Sequence, residues 1–282
     1  MLTQKYRRLN IMTLLYTTIL SLSLSFVAWM NLPQNYNEGL AAHQAGDYNT
    51  ALKEWRPLAE QGNAITQYNL ALMYKNGEGI AEDNVEAVKW YKRAAEQGYA
   101  SAQNNLGNMY YNGEGVAEDF TQAVKWYRKA AEQGHTVAQS NLGFMYDNGE
   151  GFAEDDTEAV KWWGLAAEQG DAVAQSNLGL KYAQGEGVSE DYAEAIKWWR
   201  LSAEQGNTLA QNGLGVLYET GKGVRQDNIK AHMWFNIASS IGDKDAVDWK
   251  TERENLMASA DIFEAQGMAL KCISSNYKNC GF

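Results

Sequence analysis

Small and apolar residues recur in this chain at helical spacing, stop at a glycine turn, and resume at helical spacing. The whole pattern returns every 36 residues, five times over. The copies begin at Ala64, Ala100, Thr136, Ala172 and Thr208, and position numbers below count from these residues. In the copy from Ala100, Ala102, Leu106, Met109 and Tyr110 fall at i, i+4, i+7 and i+8, one face of an α-helix. Asn112-Gly113 then ends that helix, with Gly113 suited to the left-handed C′ conformation. Asn-Gly also opens β-hairpins, but the flanks here are helical in period instead of alternating.

A second helix starts at Asp119, a good N-cap, and Gln122 three residues later predicts a capping box. Asp83 with Glu86, Asp155 with Glu158 and Asp191 with Glu194 repeat the device. Ala123, Val124, Tyr127, Ala130 and Ala131 form its buried stripe, and Gly134 stops it. Two helices joined this closely must fold back as an antiparallel hairpin. A fixed period of this size means one such unit stacked on itself, burying its apolar face only against neighbours. The fold class is therefore an all-α solenoid of about seven hairpins, caps included. Aromatic rows at Tyr74, Tyr110, Tyr146, Tyr182 and Tyr218, and at Trp90, Trp126, Trp162, Trp198 and Trp234, read as core between repeats.

The ends depart from the period. Residues 36–63 resemble the unit without its G-x-G loop, and Pro57 should kink their second helix. After Asp243 the period is lost, and two helices near 245–258 and 260–274 should seal the last apolar face. Four regions follow: 1–33, a capping unit at 34–63, five repeats at 64–243, and a helical cap and tail at 244–282.

Residues 1–33 change the picture of location. Lys5, Arg7 and Arg8 precede a mostly apolar stretch over 11–30, closed by Pro33, the layout of a basic n-region and an h-region. The stretch is long enough to span a bilayer and lacks a clear cleavage site, so a signal peptide and a retained anchor both stay open. Either sends the repeats out of the cytoplasm. The expected location is periplasmic or secreted, with residues 11–30 lost or kept as an inner-membrane anchor, and no other membrane contact. The two cysteines, Cys272 and Cys280, are close in sequence, and in an exported chain they are a disulfide candidate. The net charge is −11, and without the three N-terminal cations the remainder carries −14. Such a body repels phosphate backbones, which argues against nucleic acid as a partner.

The blocks A-x-A-Q-x-N-L-G-x-M-Y, G-x-G-V and A-A-E-Q-G resemble the SEL-one-like repeat family, a relative of the tetratricopeptide repeats, over residues 64–243. The shorter unit at 34–63 is more similar to a plain tetratricopeptide repeat. The resemblance implies a right-handed α-solenoid that binds proteins or peptides. It also implies a cysteine-rich branch associated with penicillin binding, which carries a disulfide in every repeat. This chain has no cysteine within its repeats and departs from that branch.

Where the copies disagree, a ligand face is expected. Position 5 reads Tyr68, Asn104, Ser140, Ser176, Asn212; position 9 reads Leu72, Asn108, Phe144, Leu180, Val216; position 12 reads Lys75, Tyr111, Asp147, Ala183, Glu219. These positions share a face of the first helix opposite its constant stripe, and a face that varies is expected to be released from packing. A constant asparagine at position 6, Asn69, Asn105, Asn141 and Asn177, runs beside it. Asparagine offers a donor and an acceptor to a peptide backbone, or to the adjacent repeat, and both readings stay open.

Chemistry has few footholds. His43, His135 and His232 lie in different units without a second ligand at metal spacing. Ser275-Asn276-Tyr277-Lys278 is a lone S-x-x-K without companion motifs. The repeated acids sit where helix starts favour them, and the G-x-G loops follow helices and lack the lysine of phosphate loops. Lys89, Lys125, Lys161 and Lys197 read as a solvated row. The sequence thus predicts a scaffold for a protein or peptide, with no catalytic residue, cofactor or metal. A cell-wall hydrolase or penicillin-binding enzyme is the alternative.

Overall fold

A computed structural model describes residues 34–278 and 280, so expectations for residues 1–33 lie outside the described residues. Fourteen helices, and no strand, occur among them: α1 (Gln34–Gln44), α2 (Tyr48–Glu60), α3 (Ala64–Asn76), α4 (Asn84–Glu96), α5 (Ala100–Asn112), α6 (Phe120–Glu132), α7 (Thr136–Asn148), α8 (Asp156–Glu168), α9 (Ala172–Gln184), α10 (Tyr192–Ala203), α11 (Thr208–Thr220), α12 (Asn228–Ser240), α13 (Lys244–Glu254) and α14 (Ser259–Ser274). They form antiparallel hairpins in an all-α solenoid, within two compact units, one ending at Gln97 and one beginning at Gly98. Helix α2 runs through Pro57 to Glu60.

Each hairpin closes as its sequence requires. The first helix ends at a left-handed glycine, Gly113 with φ +68° in the second copy, whose N–H bonds back to Met109 O. The second begins at an aspartate that accepts from the N–H three residues on, Asp119 from Gln122 at 3.0 Å. The reciprocal half of a capping box is not what engages the cap's own N–H. That N–H donates to the tyrosine carbonyl of the first helix, Asp119 to Tyr110 O at 2.9 Å and Asp155 to Tyr146 O at 2.9 Å. The glutamates at N3 instead pair with the lysine row, Lys161 with Glu158 at 2.8 Å and Lys197 with Glu194 at 2.8 Å. These lysines also lie over the tryptophan rings, Lys197 Nζ 4.8 Å from the Trp198 centroid.

The two helices approach closely because glycine faces an aromatic. A Cβ on Gly143 would lie 2.6 Å from the Trp163 ring, and one on Gly107 2.6 Å from Tyr127. The aromatics seated on such glycines are Tyr127, Trp163, Trp199 and Phe235 at position 28, buried like Tyr91 of the first copy. In the tryptophan row one residue earlier, Trp90, Trp126 and Trp234 are buried and Trp162 and Trp198 only half-buried.

Stacking between hairpins uses two glutamines, the first constant in all five copies and the second in the first four. Buried Gln139 donates to Ala131 O of the preceding hairpin at 3.1 Å and accepts from Gln169 of its own at 2.7 Å. Gln175 does the same with Ala167 O at 3.1 Å and Gln205 at 2.9 Å, and Gln67 with Ala59 O at 2.9 Å and Gln97 at 2.7 Å. In the fifth copy Ile241 stands where the second glutamine would be, and Gln211 Oε1 is left buried without a partner.

Candidate interaction surface

Once hairpins stack, the first helices keep one strip clear of their neighbours. In the second unit it carries Val137 and Phe144 on α7, Val173 and Leu180 on α9, and Leu209 and Val216 on α11, at positions 2 and 9. These pairs are two turns apart on one helical face. Val137 is 48% and Phe144 43% exposed, while Leu180 is half-buried. Position 9 was expected on this strip; position 2 was not. Its signal was present, since Ile65, Val137, Val173 and Leu209 are apolar at a site outside the core stripe. In the first unit Tyr68, Asn69 and Leu72 on α3 are half-buried, and the Tyr68 ring packs against Tyr91 at 5.9 Å.

Position 5 overturns the expectation that a varying site is free of packing. Asn104, Ser140, Ser176 and Asn212 are all buried. Positions 5 and 12 lie roughly 40–60° round the helix from position 9, enough to turn them from solvent into the seam with the next hairpin. Asn141 Nδ2 donates across that seam to Asn104 Oδ1 at 3.3 Å and to Asn108 Oδ1 at 3.4 Å, while Asn104 Nδ2 donates to Asn105 Oδ1 at 3.2 Å. For Asn141 the bond to the adjacent repeat is therefore made. Ser140 Oγ donates to Asp171 Oδ1 at 3.2 Å, and the indole N–H groups of Trp163 and Trp199 donate to the Ser140 and Ser176 carbonyls at 3.1 and 2.9 Å. Asn177 is half-buried.

Position 12 belongs to a junction too. Tyr111 packs on Phe120, ring centroids 5.4 Å apart, and its hydroxyl reaches Glu150 of the next repeat at 3.5 Å. Burial first, then the Glu150 charge, raises the Tyr111 pKa. One repeat on, the corresponding corner is ionic. Lys181 occupies the core position held by Met145 in the preceding copy, and its ammonium meets Asp147 at 2.6 Å, Asp156 at 2.6 Å and Glu186 at 2.7 Å. Burial opposes that charge, but hydrogen bonds to the three carboxylates outweigh it and push the Lys181 pKa up. Sequence reasoning placed Asp147 on the ligand face and passed over Lys181.

Elsewhere the polar groups are structural. Cys272 and Cys280 form a disulfide with both residues buried. His135 caps α7 by accepting from the Ala138 N–H at 3.2 Å, and burial lowers its pKa. His43 pairs with Glu78 at 2.9 Å and His232 with Glu254 at 3.1 Å. Ser275 Oγ donates to Cys272 O at 2.8 Å. No group of three or more histidine, cysteine, aspartate or glutamate residues placed to hold a metal occurs among the described residues. None of the described helices is long and apolar enough to cross a membrane.

The Sel1 repeat matches residues 64–99, 100–135, 136–171, 172–207 and 208–243, and the chain belongs to that family. A Sel1 repeat protein from Oxalobacter formigenes is 35% identical, over 74% of this chain and 86% of that one, with a TM-score of 0.70. A protective antigen of uropathogenic Escherichia coli with an SLR fold is 27% identical, over 86% of this chain and 69% of its own, at a TM-score of 0.37. A Klebsiella pneumoniae sel1 repeat protein is 25% identical, over 71% of this chain and 98% of its own, at 0.45. Among curated proteins there is no match. Sel1 repeat proteins are in general protein-interaction scaffolds, and their fold is typically non-catalytic.

Proposed function

We propose that this protein is an extracytoplasmic scaffold that holds a protein or peptide segment along the strip of its first helices. The observation that carries this reading is the apolar grid of Val137, Phe144, Val173, Leu209 and Val216, exposed on the first helices of three successive hairpins of one unit. An apolar patch left open on a soluble surface marks a contact site. Side chains two turns apart on parallel helices suit an extended or helical segment with aliphatic or aromatic anchors. Within the second unit the half-buried members of the expected face, Asn108, Leu180 and Asn177, border the strip, and in the first unit Asn69 and Leu72 are half-buried members of the same expected face on α3. Asn104, Ser140 and Ser176 would support it from beneath, and Asn105, Asn141, Tyr111 and Asp147 hold its edges. The basic and apolar pattern of residues 1–33 and the Cys272–Cys280 disulfide support export.

The variant Phe144→Ala with Val173→Ser should keep its melting temperature within about 2 °C, since both side chains are exposed. Proteins that cross-link to the wild type in envelope extracts should fall away at least tenfold with this variant. Unchanged cross-linking would overturn the strip as the contact face. A reporter active only outside the cytoplasm, fused after Phe282, should be active; a silent, well-expressed fusion removes the location. Covalent labelling by a fluorescent penicillin would favour the cell-wall enzyme instead.

A further inference from the structure

The strip changes character at its C-terminal end. Helix α13 repeats the first-helix register once more, with Ala246 at the buried position of Ala210 and Trp249 at position 6. Between α9, α10, α11 and α13 lies a cavity of about 330 Å³, walled by Leu180, Trp199, Leu209, Val216 and Trp249. The asparagine of position 6 is missing on both sides of it. Its place on α11 is taken by Gly213, and the Trp199 ring lies where a side chain would go, 2.8 Å from a Cβ built there. The cavity lies where the asparagine row stops.

Asn212 lines this cavity, and its situation is the second observation. It is 7% exposed, and its Oδ1 is buried without a hydrogen-bond partner. At the same repeat position Asn104 donates to Asn105 and accepts from Asn141. The residues that would do this for Asn212 are Gly213 and Trp249. A buried amide oxygen left without a donor destabilises the site, and an incoming donor removes that cost. At the rim stand Asp243, which caps α13 by accepting from the Ala246 N–H at 2.8 Å, and Asp245 in the first turn of that helix, neither in an ion pair among the described residues.

Resting on the scaffold reading above, we infer that this cavity is the anchor site of the strip. It takes a bulky aliphatic or aromatic side chain of a partner segment that carries a lysine or arginine next to it. The apolar walls receive the anchor, Asn212 turns its enclosed amide oxygen to the segment's backbone N–H, and the two aspartates receive the cation. The volume lies in the range of small-ligand pockets and is ample for one side chain.

The test uses the full protein and three probes: acetyl-Phe-Arg-amide, acetyl-Phe-Glu-amide and acetyl-Ser-Arg-amide. The readout is the Trp249 indole signal in proton–nitrogen spectra, identified by its loss in Trp249→Phe. Only acetyl-Phe-Arg-amide should shift it saturably at millimolar concentration. Gly213→Asn displaces the Trp199 ring that walls the cavity and should weaken that shift at least tenfold. Asp245 is exposed, so Asp245→Lys should leave melting unchanged while reversing preference toward acetyl-Phe-Glu-amide. Equal response to all three probes, no response to any, or an Asp245→Lys protein that still prefers the arginine probe would each overturn the proposal. Those outcomes leave cross-linking through Phe144 untouched, so the loss of one reading is told apart from the loss of the other.

Discussion

The seam between the second and third repeats and the seam between the third and fourth share one backbone geometry and fill it with opposite chemistry. The first sets Tyr111 and Phe120 beside Met145 and Glu150. The second sets Asp147 and Asp156 beside Lys181 and Glu186. Three residues change character together, two from one repeat and one from the next. Variation within a repeat protein therefore records at least two things: what the surface must meet, and which neighbour the repeat must match. Only side chains beyond the seam, such as Phe144, can be read as the former.

The comparison is broken most severely by Lys181→Met, which installs the side chain of the aromatic seam among acids suited to the ionic one. Removing one partner of a buried ion cluster costs about 3–5 kcal/mol. The three carboxylates here remain 27%, 30% and 45% exposed, so solvent screening reduces the expectation to about 2 kcal/mol. Adding Asp147→Tyr and Asp156→Phe should recover most of the loss in denaturant melts. The wild type should also show an alkaline signature. The Lys181 pKa is raised above its ordinary 10.5, so its stabilisation is complete below that pH and fades as pH climbs through the raised value. Lys181→Met should lack this fade, and identical alkaline profiles would exclude the cluster as its source.

Next in size comes the glutamine ladder, which both seams share. Gln139→Leu strands Gln169 and the Ala131 carbonyl, a loss of about 1–3 kcal/mol by chemical denaturation. Gln175→Leu should cost nearly the same despite the different seam beside it; a large disparity would show that the ladder and the corners are coupled. A gain of about 1 kcal/mol is expected from Ile241→Gln, which offers Gln211 its missing donor from a half-exposed site. Smallest is Tyr111→Phe. It removes a 3.5 Å contact to Glu150 and keeps the ring packing, so stability should change by no more than about 0.5 kcal/mol.

Much of the fold could be read because each hairpin is set by local rules. Asp119, Gly113 and the alanine stripe act within one copy, and all lie where the pattern put them. The matched corner was harder, because Lys181 finds its carboxylates 34 and 25 residues away, on another hairpin. A lysine in place of methionine at a core position was the visible trace. The glutamine ladder was in plain view as two recurring positions, yet their partnership needs the helix ends placed in space. For the candidate strip, helical angle separated position 9 from positions 5 and 12, a distinction of about half a right angle that an alignment of copies does not contain.

Near-identical units in a row face a hazard of slipping, one copy docking where its neighbour belongs. The ionic corner is an indexing mark against that error. If the fourth repeat slid onto the second, Lys181 would bring its ammonium to Tyr111 and Phe120, and Asp147 and Asp156 would lose their cation. Glu186 would travel with Lys181, so the slipped seam would keep one of three ion pairs and leave two carboxylates uncompensated, a cost the native order avoids. In the unit from Gly98 onward, one lysine and its carboxylates thus mark the seam between the third and fourth repeats as unlike the seam before it.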